Sequence, residues 1–114
     1  MSYRTDTKAL VLAILSDGPQ HGYGISRAVK ERSADLLKLG EGQLYPILHS
    51  LEEEGWVEAE WQMQEGDPPK RVYKITPLGR NELEARARKW QAFTDAVSQV
   101  LANPVKEGQS EPAV

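Results

Sequence analysis

The chain has 114 residues, of which 39% are hydrophobic and 27% are charged, and this composition predicts a soluble globular protein and excludes a disordered or membrane-spanning one. It contains no cysteine, which excludes disulfide bonds, cysteine-ligated zinc and thiol catalysis. We expect a cytoplasmic location, because no segment resembles a signal peptide or reaches the ~18 apolar residues of a membrane span.

The net charge of −3 hides an uneven distribution of charged side chains. Residues 51–69 carry seven acidic and no basic side chains, whereas residues 70–90 carry seven basic and two acidic ones. A basic block of this kind can neutralise DNA phosphates, but it can equally be a solvated helix face. The charge pattern alone leaves both interpretations open.

The first half of the chain predicts three helices. Residues 7–16 are apolar at too many positions for one stripe, so we expect a helix that is buried on two sides. A second helix is predicted over residues 23–37, after a turn signal at residues 16–20. A third is predicted over residues 40–54, because apolar side chains recur there at helical spacing, at Leu44, Ile47, Leu48 and Leu51. Pro46 removes one backbone hydrogen bond from this helix.

The second half predicts a hairpin and a long helix. Apolar and polar residues alternate over residues 56–63 and again over 71–75, with loop residues between them. Thr76 is placed to cap a helix that begins at Pro77 and continues to about residue 102.

Three helices followed by a two-stranded hairpin are typical of the winged helix-turn-helix arrangement. We therefore predict a mostly α (α+β) fold, with a DNA-binding domain over residues 1–78 that carries a two-stranded β wing. A C-terminal dimerisation helix is expected over residues 79–102, followed by a disordered tail over residues 103–114. The outward side chains of the third helix that we expect to contact DNA are Gln43, Tyr45 and His49.

Four motifs in the same order resemble those of the PadR family of bacterial transcriptional regulators. They are HGY at residues 21–23, GQLYPIL at 42–48, LEEEGWV at 51–57 and KRVYKITPLG at 70–79. The resemblance implies a dimeric, promoter-binding regulator, usually a repressor, whose last helix mediates dimerisation. The chain departs from the family pattern at Gln43, where many members have Thr or Ser, and in an acidic wing loop.

An acidic wing tip repels phosphate, so we place the phosphate contacts at the basic end of the wing. The expected contacts are Lys70, Arg71, Tyr73 and Lys74. Tyr23, at the start of the second helix, either contacts DNA or packs at the helix start. For His21 we favour a capping role in the turn.

The last helix carries an apolar stripe that is too long to stay exposed in a monomer. We expect it to pack against a second subunit, with the first helix supplying the matching surface. The predicted interface residues are Leu12, Leu15, Leu83, Ala87, Trp90, Val97, Val100 and Leu101. Such a twofold dimer would place two recognition helices ~34 Å apart on a near-palindromic operator in double-stranded DNA.

Trp90 has two interpretations. In some drug-responsive members of the family that the chain resembles, a tryptophan on the last helix stacks against flat aromatic ligands. Trp90, lined by Phe93 and Val97, would then bind a small aromatic or hydrophobic effector. The alternative is that Trp90 only packs in the dimer interface.

The sequence favours a regulator over an enzyme. We find no nucleophile with a base, no glycine-rich phosphate loop and no cofactor motif. A metal site is not expected either, since His21 and His49 are 28 residues apart. The alternative function is a winged-helix protein–protein interaction module without specific DNA binding, which would show little salt dependence.

Overall fold

The structure is a computed structural model that describes residues 5–102, so the predicted tail over residues 103–114 lies outside the described residues. Four helices and three strands occur in the order α1 (Thr7–Ser16), β1 (Gln20–His21), α2 (Gly22–Arg32), α3 (Glu41–Glu53), β2 (Val57–Gln62), β3 (Lys70–Ile75) and α4 (Pro77–Ala102). The predicted order of three helices, two wing strands and one long helix is confirmed. The chain divides into two compact units between Glu84 and Ala85.

Helix α1 is the centre of the core. Its N-terminus is capped by Asp6, whose carboxylate accepts a hydrogen bond from the Ala9 N–H at 3.0 Å. The helix packs against α2, α3 and β3, so Leu12 and Leu15 are only 0% and 1% exposed. Their predicted role as partner contacts is therefore corrected. The chain's own core already covers these side chains, and they have no apolar surface left to bury.

Helix α2 ends five residues earlier than the predicted position 37. Ala34 and Asp35 adopt left-handed backbone angles, with φ of 52° and 67°, which a continuing helix cannot accommodate. The Asp35 N–H donates back to the Lys30 carbonyl at 2.8 Å and closes the last turn. The hydroxyl of Ser33 then accepts from the Leu37 N–H at 2.9 Å, which shapes the connection to α3.

Helix α3 matches the predicted third helix and continues through Pro46. Its inner stripe is closely packed, since Leu44, Leu48 and Leu51 are each 1% exposed or less. The remaining predicted stripe residue, Ile47, is half-buried against the same core. The opposite side of the helix is thereby directed to solvent.

The sheet has three antiparallel strands in the order β1-β3-β2, so the wing contains one strand more than predicted. The additional strand β1 pairs Gln20 with Tyr73 and His21 with Val72. Two residues are too few to show the alternation by which strands are recognised in a sequence.

The register of β2 and β3 decides which side chains share a face. Residues directly opposite each other lie on the same side of an antiparallel pair. Trp61 is opposite Arg71 and Ala59 is opposite Tyr73, so these side chains form one face. Lys70 and Lys74 lie on the other face, where they are opposite Gln62 and Glu58.

Helix α4 begins at a tightly packed junction. The Thr76 hydroxyl accepts from the Gly79 N–H at 3.0 Å, as the predicted cap should, and donates to the Gly55 carbonyl at 2.7 Å. The Thr76 N–H also donates to the Trp56 carbonyl at 3.0 Å. A Cβ at position 79 would overlap this carbonyl oxygen, so only glycine fits there. One turn later, Leu83 is half-buried against the chain's own core rather than freely available to a partner.

Candidate nucleic-acid interface

The outer side of α3 exposes all three side chains that the sequence singled out: Gln43, Tyr45 and His49. Tyr45 is 47% exposed and lies over the first residue of α2. A Cβ at Gly22 would come 2.8 Å from the Tyr45 hydroxyl, so any larger residue there would displace the Tyr45 ring. His49 is one turn from Glu53, with 3.9 Å between Nε2 and Oε2.

The start of α2 adds a second group of polar atoms. His21 Nδ1 accepts a hydrogen bond from the Gly24 N–H at 3.3 Å, which confirms its predicted capping role. The rings of His21 and Tyr23 are nearly parallel, with 6.4 Å between their centroids. Tyr23 is 61% exposed, so its ring is not part of the core and remains available for a surface contact.

An open cavity of about 590 Å³ joins the start of α2, the outer side of α3 and the wing. Among the side chains that line it are Tyr23, Tyr45, Trp61, Lys70, Arg71 and Tyr73. His49 lies in an adjoining groove with Tyr45 and Arg71. Gln43 lies apart from both, near the start of α1, and Lys74 is on the opposite face of the sheet. The fold thus brings together most, but not all, of the predicted residues.

Arg71 is held by side chains of its own chain. Its Nη2 lies 3.2 Å from Glu52 Oε2, and its guanidinium carbon is 5.4 Å from the centroid of the Trp61 ring. The charge pattern of the sequence did not predict this pair, because it separated an acidic block from a basic one. The available signal for this arrangement was the alternation in RVYKI, which places the side chains of residues 71 and 73 on the face of β3 that packs on the core.

Tyr73 is only 5% exposed and belongs to the core. Its predicted role as a direct DNA contact is therefore corrected, because the same alternation turns its side chain inward. Burial, followed by the nearby Glu52 carboxylate, raises the pKa of the Tyr73 phenol above its ordinary value of 10.0. The phenol therefore keeps its proton at neutral pH, and its oxygen accepts a hydrogen bond from the guanidinium of Arg71.

The predicted effector and interface residues in the second unit are exposed. Trp90, Phe93 and Val97 are 46%, 52% and 39% exposed, and the first two rings contact each other with centroids 5.6 Å apart. The other exposed residues of this predicted set are Ala87, Val100 and Leu101. The described part of α4 therefore carries an uncovered apolar stripe.

Residues 5–102 contain no cluster of three or more potential metal-ligating side chains. None of the described helices is long and apolar enough to cross a membrane.

Comparison with known proteins identifies the family. The model of the transcriptional regulator PadR-like family matches residues 11–85. The transcriptional regulator Rv3488 of Mycobacterium tuberculosis is 31% identical over 110 residues, which cover 96% of this chain and 92% of that protein. A 37.1 kDa protein in a Streptomyces fradiae transposon is 39% identical over 82 residues, and the match covers 72% of this chain but 22% of that protein.

The negative transcriptional regulator PadR of Bacillus subtilis is 30% identical over 76 residues, which cover 67% of this chain and 42% of that protein. A crystal structure of Bacillus subtilis PadR in complex with operator DNA has a TM-score of 0.66 and 28% identity, and it covers 73% of this chain and 47% of that chain. The predicted winged-helix fold is thus confirmed. The chain belongs to the PadR family of transcriptional regulators, and it is not an enzyme.

Proposed function

We propose that this regulator is a sequence-specific DNA-binding repressor that acts as a homodimer on a near-palindromic operator. The observation that carries the proposal is the division of α3 into two sides. Leu44, Leu48 and Leu51 anchor one side in the core, while Tyr45 and His49 are exposed on the side of the wing and Gln43 is exposed on the side of α1. A helix anchored in this way can enter the major groove without losing its packing.

In this proposal α3 reads the bases and the wing contacts the backbone. Gln43 can bond an adenine edge with two hydrogen bonds, and Tyr45 and His49 can bond base edges or phosphates. Lys70 and Lys74, both exposed on β3, supply phosphate contacts, and Tyr23 adds a hydroxyl at the start of α2. The operator-DNA complex of Bacillus subtilis PadR supports DNA binding by this fold.

The dimer is supported by the apolar stripe of α4. Helix α4 has 26 residues, and Val97, Val100 and Leu101 are 39% to 72% exposed along its second half. An uncovered stripe of this kind is costly in water, and a second copy of the helix would bury it. Two subunits related by a twofold axis would match the half-sites of a palindromic operator.

The effector site is proposed at the Trp90–Phe93 pair. The two contacting rings offer a flat apolar surface to a small aromatic or hydrophobic compound. A compound bound between two such helices would release DNA by favouring a different spacing of the two α3 helices. If Trp90→Ala leaves the affinity for the fluorescent probe anilinonaphthalene sulfonate unchanged, this site is wrong.

Repression and a cytoplasmic location complete the proposal. The Bacillus subtilis relative is a negative transcriptional regulator, which supports repression. A bacterial repressor binds the chromosome, which lies in the cytoplasm.

The test is fluorescence anisotropy of labelled DNA from upstream of the gene, compared with a scrambled duplex of equal length over a range of salt concentrations. We expect tight binding that prefers the upstream duplex and weakens steeply as the salt concentration rises. Binding to neither duplex at low salt would contradict the proposal and favour a protein-interaction module.

A further inference from the structure

Arg71 differs from the other two cations of β3 in its surroundings. Its Nη2 lies 3.2 Å from Glu52 Oε2, and its guanidinium group is stacked at 5.4 Å from the centroid of the Trp61 ring. The hydroxyl of Tyr73 lies beside it as a hydrogen-bond partner. Lys70 and Lys74 alternate with Arg71 along β3, and both are exposed. A phosphate that approaches the wing therefore meets two exposed ammonium groups and one guanidinium that is already occupied.

The pair also joins two elements that DNA binding must use together. Glu52 is in the last turn of α3, whereas Arg71 is in β3, 19 residues later in the chain. The two side chains are 28% and 37% exposed, so water screens the pair less than it screens a fully exposed pair. The contact therefore links the end of α3 to the wing strand.

We propose that Glu52 is a specificity-determining residue. By pairing with Arg71, it keeps this guanidinium from binding the phosphates of non-operator DNA, and it maintains the spacing between α3 and β3 that operator binding requires. This inference rests on the proposed DNA-binding function. Non-specific affinity depends on how many phosphates the protein neutralises, and a guanidinium already paired with a carboxylate contributes little to that number.

Operator binding depends on more than charge. The base contacts of α3 and the phosphate contacts of β3 must form at the same time, and a preorganised spacing lowers the cost of doing so. The loss of Glu52 thus has opposite consequences on the two kinds of DNA. The loss of Glu52 frees the Arg71 guanidinium to bind any phosphate, and it loosens the spacing between α3 and β3 on which only operator binding depends.

The experiment uses Glu52→Gln in the full chain, because this substitution removes the charge and keeps the size of the side chain. Anisotropy titrations are made with the upstream duplex and with the scrambled duplex at several salt concentrations. We expect the affinity for the scrambled duplex to rise several-fold, with a salt dependence steeper by up to about one ion per subunit. The affinity for the upstream duplex should not rise, so the ratio of the two affinities falls.

Two further variants separate this role from simpler ones. Glu54→Gln removes the same charge from the exposed C-terminal cap of α3 and should preserve the ratio of the two affinities. In an Arg71→Gln background, Glu52→Gln should no longer raise the affinity for the scrambled duplex, because its partner is absent.

Three results would overturn the inference. If Glu52→Gln raises the affinity for both duplexes equally, Glu52 acts only through the net charge of the protein. If it lowers both affinities equally and also lowers the unfolding midpoint, Glu52 acts only by stabilising the fold. A rise that persists without Arg71 would remove the pair from the explanation. If the wild-type chain binds neither duplex, the DNA-binding proposal fails first, and this inference fails with it.

Discussion

We expect Lys70 to contribute to the affinity for DNA without contributing to sequence specificity. It is exposed at the end of the wing loop, opposite Gln62 across the strand pair. We expect Lys70→Ala to weaken binding to the upstream and scrambled duplexes by a similar factor, and to reduce the salt slope by about one per subunit.

The matched control for this prediction is Lys89→Ala, which removes another exposed lysine, on α4. It should change neither affinity by a comparable factor. A Lys70→Ala effect confined to the upstream duplex in the anisotropy titrations would show that Lys70 recognises sequence rather than phosphate.

Tyr73 predicts a specific dependence of stability on pH. Burial raises the pKa of its phenol in the folded state above the ordinary value of 10.0, so the folded state holds its proton more tightly than the unfolded state does. The stabilisation is fully present below the unfolded pKa and is lost as the pH rises from there through the folded pKa. We expect Tyr73→Phe to remove this alkaline loss.

The measurement for Tyr73 is the free energy of unfolding from denaturant titrations between about pH 8 and pH 11. The wild-type curve should fall more steeply than the Tyr73→Phe curve at the alkaline end. Parallel curves would mean that the folded and unfolded states release the phenolic proton at the same pH.

At the scale of elements, a regular apolar period was enough to predict most helices and strands. Helices α1 and α3 and strands β2 and β3 lie where apolar spacing placed them, because each buries apolar side chains in a common core. The end of α2 was missed, since nothing in the composition of residues 33–37 requires the left-handed angles of Ala34 and Asp35. Strand β1 was missed because it has two residues.

The candidate site was predicted in part for a related reason. The exposed residues Tyr23, Tyr45 and Lys70 were identified by residue type and position. The inward direction of Tyr73 follows from the alternation within β3, but the pairing of Arg71 with Glu52 depends on how α3 packs beside β3, which brings together residues that are 19 positions apart. Contacts of this range are tertiary and leave no local pattern.

The junction of β3 and α4 gives a prediction about stability. Gly79 packs against the Trp56 carbonyl so closely that an added Cβ must displace backbone. We expect Gly79→Ala to lower the free energy of unfolding by about 1–3 kcal/mol, as overpacking does elsewhere. The measurement is the midpoint of a denaturant titration.

Gly42→Ala is the control for the same chemical change in a helix. Nothing lies within 4 Å of a Cβ built at Gly42, so alanine should stabilise α3 by about 0.5–1 kcal/mol. Equal effects of the two substitutions would mean that helix propensity, and not the contact with Trp56, sets the requirement at position 79.

At the scale of the whole molecule, the apolar stripe of α4 predicts the oligomeric state. We expect Val97→Glu to convert the dimer to a monomer at micromolar concentration, because it places a charge among residues that would be buried between subunits. Sedimentation velocity measures the change directly. Binding to the upstream duplex should weaken with it, since one subunit engages one half-site.

The control variant is Ala92→Glu, an exposed position of the same helix outside the stripe. It should sediment like the wild type. A dimer that survives Val97→Glu would show that the subunits associate through another surface.

The packing of Gly79 on the Trp56 carbonyl also has a mechanical consequence. The backbone and hydroxyl of Thr76 are bonded to Trp56 and Gly55, so the first turn of α4 is fastened to the turn in which α3 ends. Because Gly79 has no side chain that could shift, we expect a rotation of the first turn of α4 to move the end of α3 as well. We therefore expect the first turn of α4 and the end of α3 to move together as one piece.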